Sequence, residues 1–277
     1  MRKALVTTLI ALGLLVPAAA VAEPGPAQRS FVLASAYAAK HPDADPPGAN
    51  DWNCDPGDKN PIVLLHGTTE NAYNNWAGLA PKLKAAGYCV FAPNIGGKPG
   101  NAFQGLQDID RSTEEFGIYV KKVLAATGKT KVDIIGHSQG GMLPRNYIKR
   151  QGGGKKVDRL IALAPSNHGT VVWFPFTKVP GGSAVLASQC VACVQQSYQS
   201  DWIKALNAGG ETVPQVKYTN IITREDEVVV PHQSSYLPQG PNVRNVAIQD
   251  IAPFTVADHL ELSYNHVAHD LVFEALQ

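Results

Sequence analysis

Charge is scarce in this chain and nowhere concentrated. Its 277 residues hold 24 Lys and Arg against 23 Asp and Glu, a formal net charge of +1, with 17% of positions charged. There is no basic tract and no alternation of aromatic with basic residues, so a nucleic acid partner has no electrostatic footing. After the first residues no apolar run reaches the roughly 18 expected of a membrane span. Internal repeats, low-complexity linkers and a break in composition are also missing, which leaves no ground for a second domain.

Several site signatures are absent too. The glycines at 136, 140 and 141 do not fit G-x-G-x-x-G. "GKT" at 128–130 has the tail of a Walker A loop, but Val123 stands where its first glycine belongs and the segment precedes a strand instead of following one. His266 and His269 fail H-E-x-x-H, "CVAC" lacks a second metal-ligand pair, and no calcium loop of known spacing occurs. No metal site is expected.

The first 22 residues read as a secretory signal peptide. "MRK" is basic, "ALVTTLIALGLLV" is an apolar core short of a span, and small residues lead to a cleavage point after Ala22. The expected mature chain, 23–277, is then extracellular, and its net charge becomes −1 once Arg2 and Lys3 leave. All four cysteines lie in it, and an even count in an oxidising compartment points to two disulfides. Of three possible pairings, Cys54–Cys89 and Cys190–Cys193 are expected. The first ties the N-terminal segment to an early strand, and the second closes a very short loop.

Apolar strands alternate with amphipathic helices along the chain. "PIVLLHG", "YCVFAPN", "KVDIIG", "VDRLIALAP", "VKYTNIIT" and "VRNVAIQ" read as strands. Helices are expected around "SFVLASAYAAK", over "WAGLAPKLKAAGY", over a stretch ending at Gly128, after Ser138, and in "NHVAHDLVFEAL". Pro81 is tolerable only near a first turn or at a break. The pattern predicts an α/β class: a mostly parallel sheet covered by helices on both faces, as a single domain.

Gly136-His137-Ser138-Gln139-Gly140 is G-x-S-x-G set between a strand and a helix. Such a turn is strained and lifts the serine hydroxyl toward the amino end of the helix, whose N–H groups favour negative charge. Ser138 is therefore the candidate nucleophile, and a serine needs a base and an acid to activate it. Downstream, "REDE" follows a strand and offers Glu225, Asp226 and Glu227; Asp226 is preferred, but pattern alone does not separate the three sharply. For the base, His259 sits between the last strand and the last helix, where this arrangement requires it. His232 follows too closely on the acid strand, His266 and His269 read as surface helix residues, and Asp258 is a possible decoy acid. Oxyanion donors are expected at the Gln139 and Thr68 backbone N–H groups, with His66 and Gly67 shaping the second turn. "GTVVWFPF" offers Trp173, Phe174 and Phe176 as an acyl groove or as a rim toward lipid, against a plain packing role.

The stretches "NDWNCDPGDKNPIVLLHGT", "NNWAGLAPKLKAAGYCVFAPNIG", "VDIIGHSQGGMLPRNYI", "LIALAPSNHGT", "YTNIITREDEVVVP" and "DHLELSYN" resemble the secreted bacterial triacylglycerol lipases of the class 2 group, within the α/β-hydrolase superfamily. The resemblance spans about residues 50–266. It implies Ser138, Asp226 and His259 as triad, resolving the choice among the acids, and Thr68 and Gln139 as oxyanion donors. It supports the same cysteine pairings and implies hydrolysis of fatty acid esters without a cofactor. The substrate would be an ester or lipid, met in solution or at a lipid–water interface. A carboxylesterase or polyester hydrolase could use the same triad, and a catalytically silent binding protein is the alternative of another class. "TTENAYNN" and "QCVACVQQ" are individual to this chain, so substrate preference carries over less safely than the triad.

Overall fold

A computed structural model of the chain describes residues 23–277; the expected signal peptide, residues 1–22, lies outside the described residues. Six strands form one sheet: β1 (Ile62–Leu65), β2 (Val90–Phe91), β3 (Val132–His137), β4 (Val157–Leu163), β5 (Lys217–Ile222) and β6 (Val243–Ala247). Their order is β2-β1-β3-β4-β5-β6, and every pairing is parallel. The helices are α1 (Phe31–Ala38), α2 (Ala72–Trp76), α3 (Ala80–Ala85), α4 (Ile109–Thr127), α5 (Gln139–Arg150), α6 (Phe174–Thr177), α7 (Gly182–Gln189), α8 (Val191–Gln195), α9 (Asp201–Asn207), α10 (Ile248–Ile251) and α11 (His266–Ala275).

A parallel sheet needs cover on both faces, and successive strand residues feed two separate cores. Val63, Leu65, Ile134 and Leu160 pack with Phe116 and Val120 of α4 and with Met142 and Tyr147 of α5. Ile62, Leu64, Ile135 and Ile161 join Trp76, Leu79 and Leu83 around α2 and α3, together with Val267 and Leu271 of α11. The α/β-hydrolase architecture expected from the sequence is the one observed.

Two local expectations are refined. The single helix read over "WAGLAPKLKAAGY" is broken: α2 ends at Trp76 and α3 starts at Ala80, with Pro81 in its first turn. There the missing proline N–H has no intrahelical partner to lose. α4 is capped by the Asp108 carboxylate, which accepts from the Asp110 and Arg111 N–H groups, and it stops at Gly128 with φ +66°. That conformation suits glycine and explains the abrupt end.

β1 pairs with β2 on one side and β3 on the other, so chain direction across the sheet reverses between β1 and β3. A crevice opens outside the carboxyl ends of strands at such a switch point. Thr68 follows β1 and Ser138 follows β3, which puts both at this crevice.

Both expected disulfides are formed, Cys54–Cys89 and Cys190–Cys193, and no free cysteine remains among the described residues. Cys54–Cys89 spans 35 residues and fastens the segment before β1 to the entry of β2. Closing a loop of that length restricts the unfolded chain by about 3–4 kcal/mol. Replacing both Cys54 and Cys89 by alanine is expected to lower unfolding free energy by about that amount, read by urea titration.

Candidate active site

Ser138 occupies the turn from β3 into α5 with φ +54° and ψ −122°, a conformation costly to any residue bearing a Cβ. Its own N–H donates to the Leu163 carbonyl at 2.9 Å, which pins the turn to β4. The glycines on either side answer to contact distance. A Cβ on Gly136 would stand 1.9 Å from the Gly140 carbonyl oxygen, and one on Gly140 would stand 2.1 Å from the Leu65 carbonyl oxygen. No side chain fits in either place. Ser138 makes no capping bond to its helix, which leaves the hydroxyl available to the cavity it lines.

That cavity holds about 210 Å³ and brings Thr68, Ser138 and His259 together with Trp173, Val229 and Leu260. His259 is buried, and its Nδ1 lies 2.8 Å from Asp226 Oδ2. The other carboxylate oxygen, Oδ1, accepts from the Val228 and Val229 N–H groups at 3.0 and 2.7 Å. Asp226 is thus fixed at both oxygens, and His259 is oriented by a group that cannot swing away.

The two glutamates beside Asp226, which pattern alone could not set apart from it, take a separate part. Glu225 accepts from the Ala257 N–H at 3.2 Å and Glu227 from the His259 N–H at 3.1 Å. All three carboxylates of "REDE" therefore grip the loop that carries His259, two by its main chain and one by its imidazole. Asp258 accepts from the Glu261 N–H at 2.8 Å and caps the following turn. The reading of His269 as a surface residue is corrected: it is buried, with Nε2 2.8 Å from the Ser263 carbonyl and Nδ1 2.9 Å from Lys82 Nζ. Burial and the Lys82 charge lower its pKa to about 4, so it is a neutral packing group. His266 is exposed, and His232 lies outside the cavity wall. His66 closes its loop, Nδ1 to the Gly67 carbonyl at 2.9 Å and Nε2 accepting from the Ile95 N–H at 3.0 Å.

Among the described residues, neither the Thr68 nor the Gln139 N–H meets a protein acceptor, as oxyanion donors require. The sequence offered no sign of what holds Thr68. Its Oγ1 accepts from Gln196 Nε2 at 2.8 Å and from Gln139 Nε2 at 3.2 Å. With both lone pairs engaged, the hydroxyl proton has to be donated elsewhere. Gln196 is buried just beyond α8 and also accepts from Ser166 Oγ at 2.8 Å. Of the three aromatics expected at an acyl groove, Trp173 lines the cavity; Phe176 does not and is 56% exposed. Phe174 opens α6, and its side chain lies outside what the structure describes.

A larger cavity, about 670 Å³, opens at the amino ends of β5 and β6 among Tyr218, Pro241 and Val243. It holds neither a serine nor a histidine and lies at the wrong end of the strands for a switch-point site. The smaller cavity is the one that Ser138 and His259 line together.

A serine on a strained strand-to-helix turn at the switch point of a parallel sheet, with a histidine in the same cavity and a carboxylate bonded to that histidine, is the layout of the α/β-hydrolases. Within that class the chain belongs to the lipase (class 2) family, whose model matches residues 59–263. It is 39% identical over 90 residues to a triacylglycerol lipase of Pseudarthrobacter phenanthrenivorans, covering 31% of this chain and 27% of that protein. It is 30% identical over 212 residues to lipase B of Pseudozyma antarctica, covering 72% of this chain and 56% of that protein. The crystal structure of Aspergillus fumigatus lipase B superposes with a TM-score of 0.68 at 26% identity, over 84% of this chain and 55% of that one. The chain thus spans at most 56% of the length of these relatives.

The contact between α5 and β1 admits a direct check. Gly140→Ala forces a methyl against the Leu65 carbonyl and is expected to cost about 1–3 kcal/mol of stability, read as a lower midpoint in urea.

Proposed function

We propose that the chain is a secreted serine hydrolase of carboxylic esters, acting on fatty acyl esters of the triacylglycerol kind through an acyl-enzyme. The observation that carries this reading is His259 in the same cavity as the strained Ser138, with the Asp226 carboxylate 2.8 Å from its Nδ1. His259, oriented by Asp226, takes the Ser138 proton as Oγ attacks the ester carbonyl; the protonated ring then releases the alcohol, and water activated by the same ring frees the acid. The N–H groups of Thr68 and Gln139 stabilise the oxyanion. The Thr68 hydroxyl, its lone pairs taken by two glutamine amides, supplies a third donor.

Support for an acyl substrate comes from the apolar part of the wall, Trp173, Val228, Val229 and Leu260. Exposed apolar residues nearby suit a lipid surface: Val172, Phe176, Val179 and Val185 on the α6–α7 segment, and Phe254 and Val256 shortly before His259. The names of the relatives agree with this reading. Residues 23–277 would act as one catalytic domain after removal of residues 1–22, and the two disulfides suit an extracellular setting. A second reading, hydrolysis of short-chain esters, is favoured by the cavity, whose roughly 210 Å³ is small for a long acyl chain.

Ser138→Ala is expected to fold normally and to lose about 10⁶-fold in turnover of a nitrophenyl ester; retained turnover ends the proposal. Initial rates on octanoyl against butyryl esters separate the lipase from the short-chain reading. Thr68→Val keeps the N–H and removes the hydroxyl. Its kcat is expected to fall by about 100-fold with KM little changed, whereas an unchanged kcat removes the third donor.

A further inference from the structure

Beside His259 lies a buried pair, His137 and Glu70, that the proposed reaction leaves unused, although Glu70 also lines the Ser138 cavity. His137 precedes the serine and is fully buried; Glu70, in the loop after β1, is 2% exposed. His137 Nδ1 stands 2.9 Å from Glu70 Oε2, and His137 Nε2 stands 2.9 Å from the main-chain carbonyl of His259. The two imidazoles are 4.7 Å apart at an angle of 44°. Both neighbours of the His137 ring are acceptors. A neutral imidazole carries one N–H and can satisfy only one of them, whereas an imidazolium satisfies both. His66 and His269 show the contrast, since each has one acceptor and one donor at its two nitrogens and needs only the neutral ring.

A third neighbour agrees. Asn75 Nδ2 lies 3.2 Å from His137 Nδ1, while Asn75 Oδ1 is buried without a partner. Exchanging the two ends of that amide places Oδ1 against the ring and gives it a donor, provided Nδ1 carries a proton; the second proton is then required by Nε2, which faces the His259 carbonyl.

We infer that Glu70 holds His137 as an imidazolium, and that this imidazolium is a positioning residue whose Nε2–H clamps the main chain of His259. The inference deepens the proposed function and rests on His259 being its base. Glu70 Oε2 is itself fixed by the Gly67 N–H at 2.9 Å, so the carboxylate cannot turn away from the ring. The clamp thereby joins the oxyanion loop, the residue before the nucleophile and the histidine loop through one pair of charges. Two loops from opposite halves of the chain are set relative to each other by direct hydrogen bonds.

Four ionisable groups bear on the His137 ring: His66 at the end of β1, Glu70 in the following loop, Asp226 after β5 and His259 before α11. Burial alone would lower the His137 pKa, but the Glu70 charge and hydrogen bond, with the His259 carbonyl, outweigh it and hold it above its ordinary 6.5. Burial alone would raise the Glu70 pKa, but the His137 charge and hydrogen bond, aided by the Gly67 N–H, hold it below its ordinary 4.5. Because the Glu70 value is lowered and the His137 value raised, the clamp is complete between the two and is lost as pH climbs through the His137 value. Removing the Glu70 charge brings the loss to lower pH.

Glu70→Gln isolates that charge. The Gly67 N–H requires oxygen at the Oε2 position, so a neutral His137 would donate to it through Nδ1 and turn an unprotonated Nε2 toward the His259 carbonyl. In this variant the alkaline fall of kcat is expected to move down by about one pH unit or more, with KM within about twofold of wild type. The direct measurement is nuclear magnetic resonance on wild-type protein with 15N-labelled histidine. As pH is raised, the His137 ring is expected to keep protons on both nitrogens past the value at which an ordinary imidazole loses one. The His168 ring also faces two acceptors, Ser234 O and Glu211 Oε1, and is told apart by its loss in His168→Gln. A His137 ring that loses its second proton at or below that ordinary value overturns the inference, as does a Glu70→Gln enzyme whose kcat is unchanged or falls equally at every pH. The ring protons are read without turnover, so this result and the Ser138→Ala result fail independently.

Discussion

Bare backbone against backbone is the contact on which the site depends. Where α5 leaves β3, Gly140 approaches the Leu65 carbonyl so closely that a single methyl would stand 2.1 Å from it, and Gly136 meets the Gly140 carbonyl in the same way. That closeness sets the reach of Ser138 above the sheet and brings the first turn of α5 against the loop that follows β1. Thr68 and Gln139 come from those two segments, and Gln139 Nε2 donates to Thr68 Oγ1 across the seam. Strain at Ser138 persists because the Leu163 carbonyl and two covered sheet faces hold the turn from several sides.

Opposite the serine, the structure spends acidic residues on one short loop. Glu225, Asp226 and Glu227 each accept from the stretch between Ala257 and His259, while Thr223 Oγ1 donates to the Ala257 carbonyl at 2.7 Å. His137 approaches the same loop from the other side through the His259 carbonyl. A loop between a strand and a helix is ordinarily among the more mobile parts of a domain. Here its main chain is bonded at successive positions, so the imidazole enters the cavity in one orientation without help from a bound ligand.

Much of this was legible because the determinants are local. Alternating apolar strands and amphipathic helices gave the sheet and its cover. G-x-S-x-G between strand and helix singled out Ser138, and chain order singled out His259, two residues that line one cavity. What stayed hidden was pairing between distant residues. Nothing in the spacing of Glu70 and His137, or of Thr68 and Gln196, announces that they meet, since each pair is brought together by the packing of separate elements. Asp226 was inseparable from its neighbours in pattern for a related reason: all three carboxylates are used on the same loop, and only side-chain direction distinguishes them. The buried state of His269 escaped because helix periodicity gives a face and not what packs on it. The short helices α6 to α9 escaped because each holds too few turns to show a period.

The segment from Val171 to Gln189 stands apart in one respect. None of its described residues is buried, yet it is bounded by firm anchors. Thr170 accepts from the Val172 and Val230 N–H groups and donates to the Val228 carbonyl, and Cys190 is bonded to Cys193 at the start of α8. Its Trp173 nonetheless forms part of the cavity wall. A stretch moored at both ends, with only Trp173 and Leu186 reaching down to a core, can vary in length and composition without disturbing the turn at Ser138, so one wall of the cavity can be rebuilt while the strand-to-helix turn stays as it is.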